Sequence, residues 1–470
     1  MKMSSFKPIP LNIVGQSYES RSRALSIQRT MNLIPAAELT GASQSSLMSW
    51  PGCVNFYAAS GLDRGMTKFN DELYKVTDQT LWKIDSLSAA TNLGTIAGSN
   101  RCIFANDGTN LIITQGSTGY QLTGSTLTQI TDPDFVGGNS VAYLNLKMIF
   151  DSAGGRFQVA DAGNPDSIQP NNFATAESAP DDTIRMFVFN ERFNPFGTSS
   201  VETWYDTGSG NPPVGRVNGG TMNVGLFAVH SVADTEDFVY FLGSDKRVYR
   251  FSSHQPEAIS TNAIAHQLDA CADLTDAIGY IVTVEGQNIY VLNSVLSNRT
   301  FAFNESSGAW FELSTGAAQN YYIGTSYVEC YGKRLIADGG NVHELSLTTY
   351  TDNGAVKIQE RVFGPINGDA VGSPGSRLLM SYVDFIMDLG VGIATGQGSK
   401  PQALVSLSFD GGKSFTNERD VLLGRTGEGR IKARYDHTES FYDCFIKIKV
   451  SDPVFIALFT AAIGIKASGH

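Results

Sequence analysis

The residues able to do chemistry are few and scattered along the chain. Asp269, Asp273 and Asp276 follow a short helical pattern and would present three carboxylates, the ligand type that hard cations take. No histidine or further ligand stands at a matching spacing, so a solvated helix face and turn accounts for them equally well. His343-Glu344 begins the zinc-protease pattern but lacks its second histidine. The glycine segment Gly390 to Gly396, GVGIATG, misses the GxGxxG spacing and opens no helical pattern, so it reads as a loop. Neither a GxSxG nucleophile elbow nor a GxxxxGK[ST] phosphate loop occurs. The expectation is therefore no catalytic residue, no cofactor-binding residue, no metal ligand and no cofactor, with function carried by surfaces.

The sharpest local signal is SFDGGKSF, Ser408 to Phe415. It resembles the Asp box (SxDxGxTW) of sialidase-type propellers, in which the aspartate binds backbone N–H groups and fixes a hairpin turn. A sialidase would also show repeated boxes, an arginine cluster and a Tyr/Glu pair, and this chain shows one box. Asn298-Arg299-Thr300 and Asn304-Glu305-Ser306 match glycosylation sequons. The N-terminus, MKMSSFKPIPLNIVG, places prolines where a secretion signal has its apolar core, so the sequons read as accidental. Cys53, Cys102, Cys271, Cys330 and Cys444 are odd in number, far apart and without a CxxC pair, against both a zinc site and a complete disulfide framework. Trp310, in SSGAWFEL, follows a glycine turn and reads as a core anchor between sheets.

The elements that must position these residues are strands. Charged residues make up 17% of the 470, against roughly 25% in average proteins, and glycine reaches 48 residues, a turn-rich globular composition. The net charge of −12 and the absence of a basic run disfavour a surface that grips nucleic acid. The central stretch, residues 184 to 252, alternates apolar residues at Met186 and Val188 and again at Val201, Thr203 and Tyr205, the two-residue period of a half-buried strand. Similar units of strand, Asn/Asp/Gly turn and strand start near Gly65, with Asn70-Asp71 as the first such turn. They recur at intervals of roughly 36 to 48 residues, the range of propeller blades. An elongated β-sandwich array is the alternative. One inserted helix is expected in PEAISTNAIAHQLDACADLTDA, where Ile259, Ala263, Ile264 and Leu268 share a face.

The fold expected is all-β: a β-propeller of six or seven blades followed by a C-terminal β-sandwich domain. Residues 1-64 read as an N-terminal arm or belt packing on the propeller, 65-354 as the propeller, and 355-470 as the sandwich. Pro35 and Pro51 forbid a continuous helix in the arm. Asn194-Pro195 is expected to interrupt its strand. The run Val454 to Ile465 falls short of the ~20 residues of a membrane helix and reads as two buried strands, or else as an exposed assembly edge.

Four segments together carry a family likeness. TMNLIP with SWPG, FGTSSVETWYDTG, AISTNAIAHQLDACADLTDAIGY and TFAFNESSGAWFEL resemble the packaged-DNA stabilization, or tail hub, proteins of short-tailed bacteriophages, over residues 30 to about 315. The resemblance implies a structural virion protein of the phage tail, made in the host bacterial cytoplasm, and not an enzyme. It implies a homo-oligomeric ring, a hexamer by family analogy, below the portal and its adaptor protein. That ring would extend and close the DNA channel and carry a tail spike, fibre or needle/plug protein. DNA would pass through without specific binding, and nothing would insert in a membrane. A carbohydrate-binding or glycosidase-type propeller and a cellular scaffold propeller are the competing classes; turnover with convergent carboxylates would mark the first, and absence of phage neighbours the second.

Overall fold

The computed structural model describes residues 6–19, 21–22, 27–37, 45–176, 181–253 and 255–467. Among these residues, seven sets of four antiparallel strands follow one another along the chain. Blade one spans 63–95, blade two 103–129, blade three 141–175, blade four 183–222, blade five 233–258 and blade six 278–312. Blade seven takes three strands from 326–346 and its fourth, Gly52–Tyr57, from the other end of the chain. The expected propeller is thus present, with seven blades.

The hairpins form because the turn residues accept the backbone that tight turns impose. Asn70 and Asp71 have φ of 47° and 59°, and Asn190 and Glu191 of 50° and 60°. Two consecutive positive φ values match the right-handed twist of the flanking strands, and Asn and Asp tolerate them best. Inner strands of neighbouring blades lie side by side around a common axis. Middle strands are covered on both faces by adjacent blades and so are buried throughout, as in Asn110–Gln115, where all six residues are buried around the apolar run Leu111–Ile113.

A hydrophobic core occupies each of the seven junctions, which is why the array is a closed ring and not a straight stack. Phe69, Tyr74 and Leu81 of blade one meet Cys102, Leu111 and Ile113 of blade two. At the closing junction Phe56, Leu335 and Val342 of blade seven meet Met66, Leu73 and Ile84 of blade one. The closing strand runs Ser346↔Gly52 to Val342↔Tyr57. Gly52 is required there: its N–H donates to the Thr349 carbonyl at 2.7 Å, and a Cβ would stand 2.4 Å from that oxygen.

The C-terminal strands form two facing sheets. One orders 433–441, 378–387, 457–467, 45–49 and 33–37, with 7–11 also on 457–467. The other orders 27–31, 359–367, 443–450, 402–408 and 419–422. Their shared core joins Ile13, Leu33 and Leu47 from the N-terminal segment to Leu378, Val405, Ile446 and Ile463. The described part of the first 64 residues is therefore woven into sandwich and ring as strands, where the sequence reading had an arm or belt. The rest of that segment (1–5, 20, 23–26 and 38–44) lies outside the described residues. Strand 27–31 also touches blade six, Met31 pairing with Glu312 in parallel, so blade and sandwich share one ten-stranded sheet.

Two local expectations change. The run Val454 to Ile465 yields one strand, Ala457–Ala467, with its neighbours 378–387 on one side and 7–11 and 45–49 on the other. It is neither two strands nor a free edge, because both its ladders are taken. Pro195 does not interrupt its strand: Arg192–Gly197 runs through it, with Met186↔Pro195 in register. On the other side the ladder to Val201–Asp206 keeps only Phe193↔Trp204 and Phe196↔Val201, so the missing N–H falls in a gap between rungs.

Candidate functional site

The residues with catalytic types do not converge. Asp269 is exposed at the end of the helix Asn262–Asp269. Asp273 accepts the Thr275 N–H at 2.8 Å, and Asp276 accepts from Ser294 Oγ at 2.6 Å and the Leu296 N–H at 2.9 Å, so these two carboxylates hold turns. Among the described residues no three His, Cys, Asp or Glu side chains gather to hold a metal. His343 is buried with Nε2 3.4 Å from Asp338, while Glu344 pairs with Lys333. Gly390 to Gly396 is irregular, between the strands 378–387 and 402–408. All five cysteines are free; burial pushes the Cys53 thiol up to about 12 and that of Cys102 to about 11, which suppresses thiolate reactivity.

The Asp box forms as its sequence asks. Asp410 accepts from the N–H groups of Lys413 at 2.9 Å and Ser414 at 3.0 Å, and from Ser414 Oγ at 2.6 Å. These donors, the Ser414 hydroxyl first, hold its carboxyl far below the usual carboxylate range. The carboxylate is thus committed to the turn. Of the two sequons, Asn304 is buried and its amide donates to the Pro35 carbonyl at 2.9 Å and Gln287 Oε1 at 2.7 Å, which leaves no room for a glycan.

What does converge is two of the four family-like segments, TMNLIP with SWPG and TFAFNESSGAWFEL, at the seam where blades six and seven meet the sandwich. Asn32 of TMNLIP is fully buried with φ of 53°. Its amide donates to the carbonyls of Ser314 at 3.0 Å and Ile358 at 2.8 Å, and its oxygen accepts the Ser314 N–H at 3.0 Å. One side chain thereby ties the N-terminal segment, blade six and the start of the sandwich. Three residues on, the Pro35 carbonyl accepts from Asn304 and from Ser307 Oγ, both in TFAFNESSGAWFEL. Trp50 of SWPG is fully buried against Phe311 and Tyr322, ring centroids 6.1 and 5.9 Å away. Beneath it the buried Lys357 donates to the carbonyls of Trp50 and Pro51 and pairs with Asp352 at 3.1 Å. On the open side Arg29 meets Glu312 at 3.3 Å and Glu360 at 3.4 Å.

The other two segments are architectural as well. In FGTSSVETWYDTG, the N–H groups of Ser199 and Ser200 donate to Asp181 at 2.7 and 3.1 Å, and Trp204 Nε1 donates to Glu202 at 2.8 Å. In the helical segment, the Ile259 carbonyl accepts Trp310 Nε1 at 2.9 Å. Asn32 and Lys357 carry no motif of their own, and their partners lie hundreds of residues away or in irregular chain. Only the family likeness pointed at the seam.

A seven-bladed propeller sewn to a sandwich, with its distinctive residues engaged in holding the two together, defines a rigid structural scaffold. The chain belongs to the phage packaged-DNA stabilisation family, whose model, described as "Bacteriophage P22 Gp10, beta-propeller", matches residues 7–350. It is thus a phage structural protein and a virion component. No curated protein matches the sequence. Solved structures similar to it include BamB from Moraxella catarrhalis, at 13% identity and TM-score 0.41, covering 73% of this chain and 96% of that one. The Neurospora crassa Pan2 WD40 domain is similar at 8% identity and TM-score 0.40, covering 62% and 94%. PorZ, a surface component of the type-IX secretion system of Porphyromonas gingivalis, gives 11% identity and TM-score 0.39; 66% of this chain is covered and the chain spans 45% of PorZ. No helix of the described residues is long and apolar enough to cross a membrane.

Proposed function

We propose that this protein is a tail hub: several copies, six by family analogy, form a ring below the portal adaptor that extends and closes the DNA channel and carries a spike, fibre or needle. The observation that carries the reading is the extent of the family match, which takes in all seven blades together with the N-terminal strands that anchor the sandwich. A scaffold bearing load between a portal and tail appendages must transmit force between its domains. The shared ten-stranded sheet and the buried Asn32 and Lys357 bonds supply that rigidity. The sandwich exposes large apolar side chains that a neighbour could cover: Ile386 on one sheet, Leu422 on the other and Tyr442 in the turn between 433–441 and 443–450.

The test is assembly. Mixed with a candidate portal adaptor protein, the full chain should give a closed ring in electron micrographs; persistent monomers with adaptor and portal would refute the hub. A second expectation is electrostatic. A net charge of −12 per copy, multiplied around a ring, opposes a salt-sensitive grip on phosphates. At about 150 mM salt, where screening acts beyond ~8 Å, the purified protein should leave the anisotropy of labelled duplex DNA unchanged. Tight binding that weakens with salt would indicate a DNA clamp instead.

A further inference from the structure

We propose that the axial channel of the propeller binds one small oxyanion of the phosphate or sulfate type, between the guanidinium groups of Arg185 and Arg101 beside His230. This site belongs to the propeller of a single chain, whatever the chain assembles into. The three residues line one cavity of ≈ 400 Å³ on the axis. Arg101 and His230 continue into a mouth of ≈ 820 Å³ at the end of the channel. They come from three directions: Arg101 precedes the inner strand of blade two, Arg185 lies in that of blade four, and His230 sits in the connection into blade five. A group on the axis meets all three.

Arg185 is half-buried, and one of its donors is left unmet. Its Nε is buried without a hydrogen-bond partner, and an unmet donor on a charged group carries the full desolvation penalty. The carboxylate whose charge it feels, Asp151, is committed elsewhere, accepting the Ser140 N–H at 2.5 Å and Asn139 Nδ2 at 3.3 Å. Burial pushes the Asp151 carboxyl up to about 6, which weakens it further as a counter-charge. Burial also lowers Arg185, to about 10, so it stays cationic at neutral pH.

The remaining charges do not cancel this field. Arg101 pairs with Asp63 at 3.1 Å, but Lys75 already holds that carboxylate at 2.7 Å, leaving two cations on one anion. Asp276 and Asp338 sit at the mouth, the first held by Ser294 and Leu296, the second facing His343. Asp234, an exposed carboxylate, also lines the cavity, so one anion there faces the two guanidinium groups of Arg101 and Arg185. His230 reports the outcome: burial, and then the nearness of Arg101 and Arg185, hold its imidazole well below the usual value and uncharged. The two guanidinium groups add to burial in keeping this histidine neutral, and the same positive charge attracts an anion. An oxyanion accepting from Arg185 Nε and Arg101 would satisfy the orphaned donor with charge-assisted bonds. A cavity of this size admits one small anion and no duplex.

The experiment is calorimetric titration of the full chain, in a buffer free of oxyanions, with inorganic phosphate and then sulfate, and chloride as control. Phosphate should bind saturably at one site per chain, sulfate should compete, and Arg185→Gln should weaken binding by about tenfold or more while thermal unfolding still shows a folded protein. No saturable binding up to about 10 mM phosphate, or a folded Arg185→Gln that binds like the parent, overturns the site. Should Arg185→Gln not fold, a structure of the parent protein in phosphate decides: density between Arg101 and Arg185 supports the site, an empty axis refutes it. Displacement of phosphate by a short DNA duplex would overturn it too, by placing the anion on an outer surface.

Discussion

Asp63→Ala should destabilise the protein by about 3–5 kcal/mol, the usual consequence of removing one partner of a buried ion pair. Asp63 is buried at the start of blade one and accepts from Lys75 Nζ at 2.7 Å, Arg101 at 3.1 Å, Thr325 Oγ1 at 2.9 Å and Ser326 Oγ at 2.7 Å. Those partners belong to blades one, two and seven, so one carboxylate links the two sides of the ring closure. Without it the Lys75 ammonium, fully buried, faces no carboxylate within bonding distance. Lys75→Met in the Asp63→Ala background should recover part of the loss, since the orphaned charge goes with it. The same residue sets an acid limit. Burial raises the Asp63 carboxyl, but Lys75 and then Arg101 outweigh it and hold the group well below the carboxylate range. A depressed folded value means stability that is complete above the unfolded value of about 3.9 and is lost as pH falls below it. The urea midpoint of the parent should therefore drop steeply below about pH 4, and that of the double variant less. A loss from Asp63→Ala under about 1 kcal/mol would mean that Arg101, Thr325 and Ser326 do not depend on this carboxylate.

The blades were legible because their signals are local. Asn70-Asp71 sits between Phe69 and Glu72 in register, as the alternation on either side demands. The single helix follows from apolar residues at 263, 264 and 268, with Thr261 accepting the Ile264 N–H as its N-cap. What no local pattern carried is pairing over long separations. Gly52–Tyr57 has its partner strand at 341–346, and strand 27–31 has its partner at 359–367. Residues 27–37 and 45–49 alternate poorly because several lie between two layers and are buried on both faces; Leu33 to Ala36 are all buried. A polar-looking arm was the natural reading of strands whose partners come from the far end of the chain. The same limit applied to the seam: Asn32 looks like any turn asparagine until Ser314 and Ile358 are beside it. Arg185 was equally invisible, since its alternation with Met186 marks a strand and says nothing of a strand that faces an axis.

Trp310→Ala should destabilise the protein by about 3–5 kcal/mol through the cavity it leaves, a large share of what holds an ordinary domain. Trp310 is fully buried in the core between blades five and six, 5.2 Å from the Phe303 ring and among Leu242, Tyr290, Ile264 and Leu268. Nothing nearby is free to fill the space, since both flanking strands are held in register. Its indole also forms a polar tie, because Nε1 donates to the Ile259 carbonyl and pins the segment that leads into the helix Asn262–Asp269. Its backbone takes the N-terminal chain on the other side, the Ser17 N–H donating to the Trp310 carbonyl at 2.6 Å. Trp310→Phe separates these contributions. It keeps most of the apolar volume but leaves the Ile259 carbonyl unpaired, an effect of about 1–3 kcal/mol. Hydrogen exchange should then quicken across 259–270 in both variants, while denaturant midpoints fall much further for alanine. A Trp310→Ala midpoint within about 1 kcal/mol of the parent, or unchanged exchange at the helix, would show that the helix is held by its own apolar face and that the ring does not rest on this side chain.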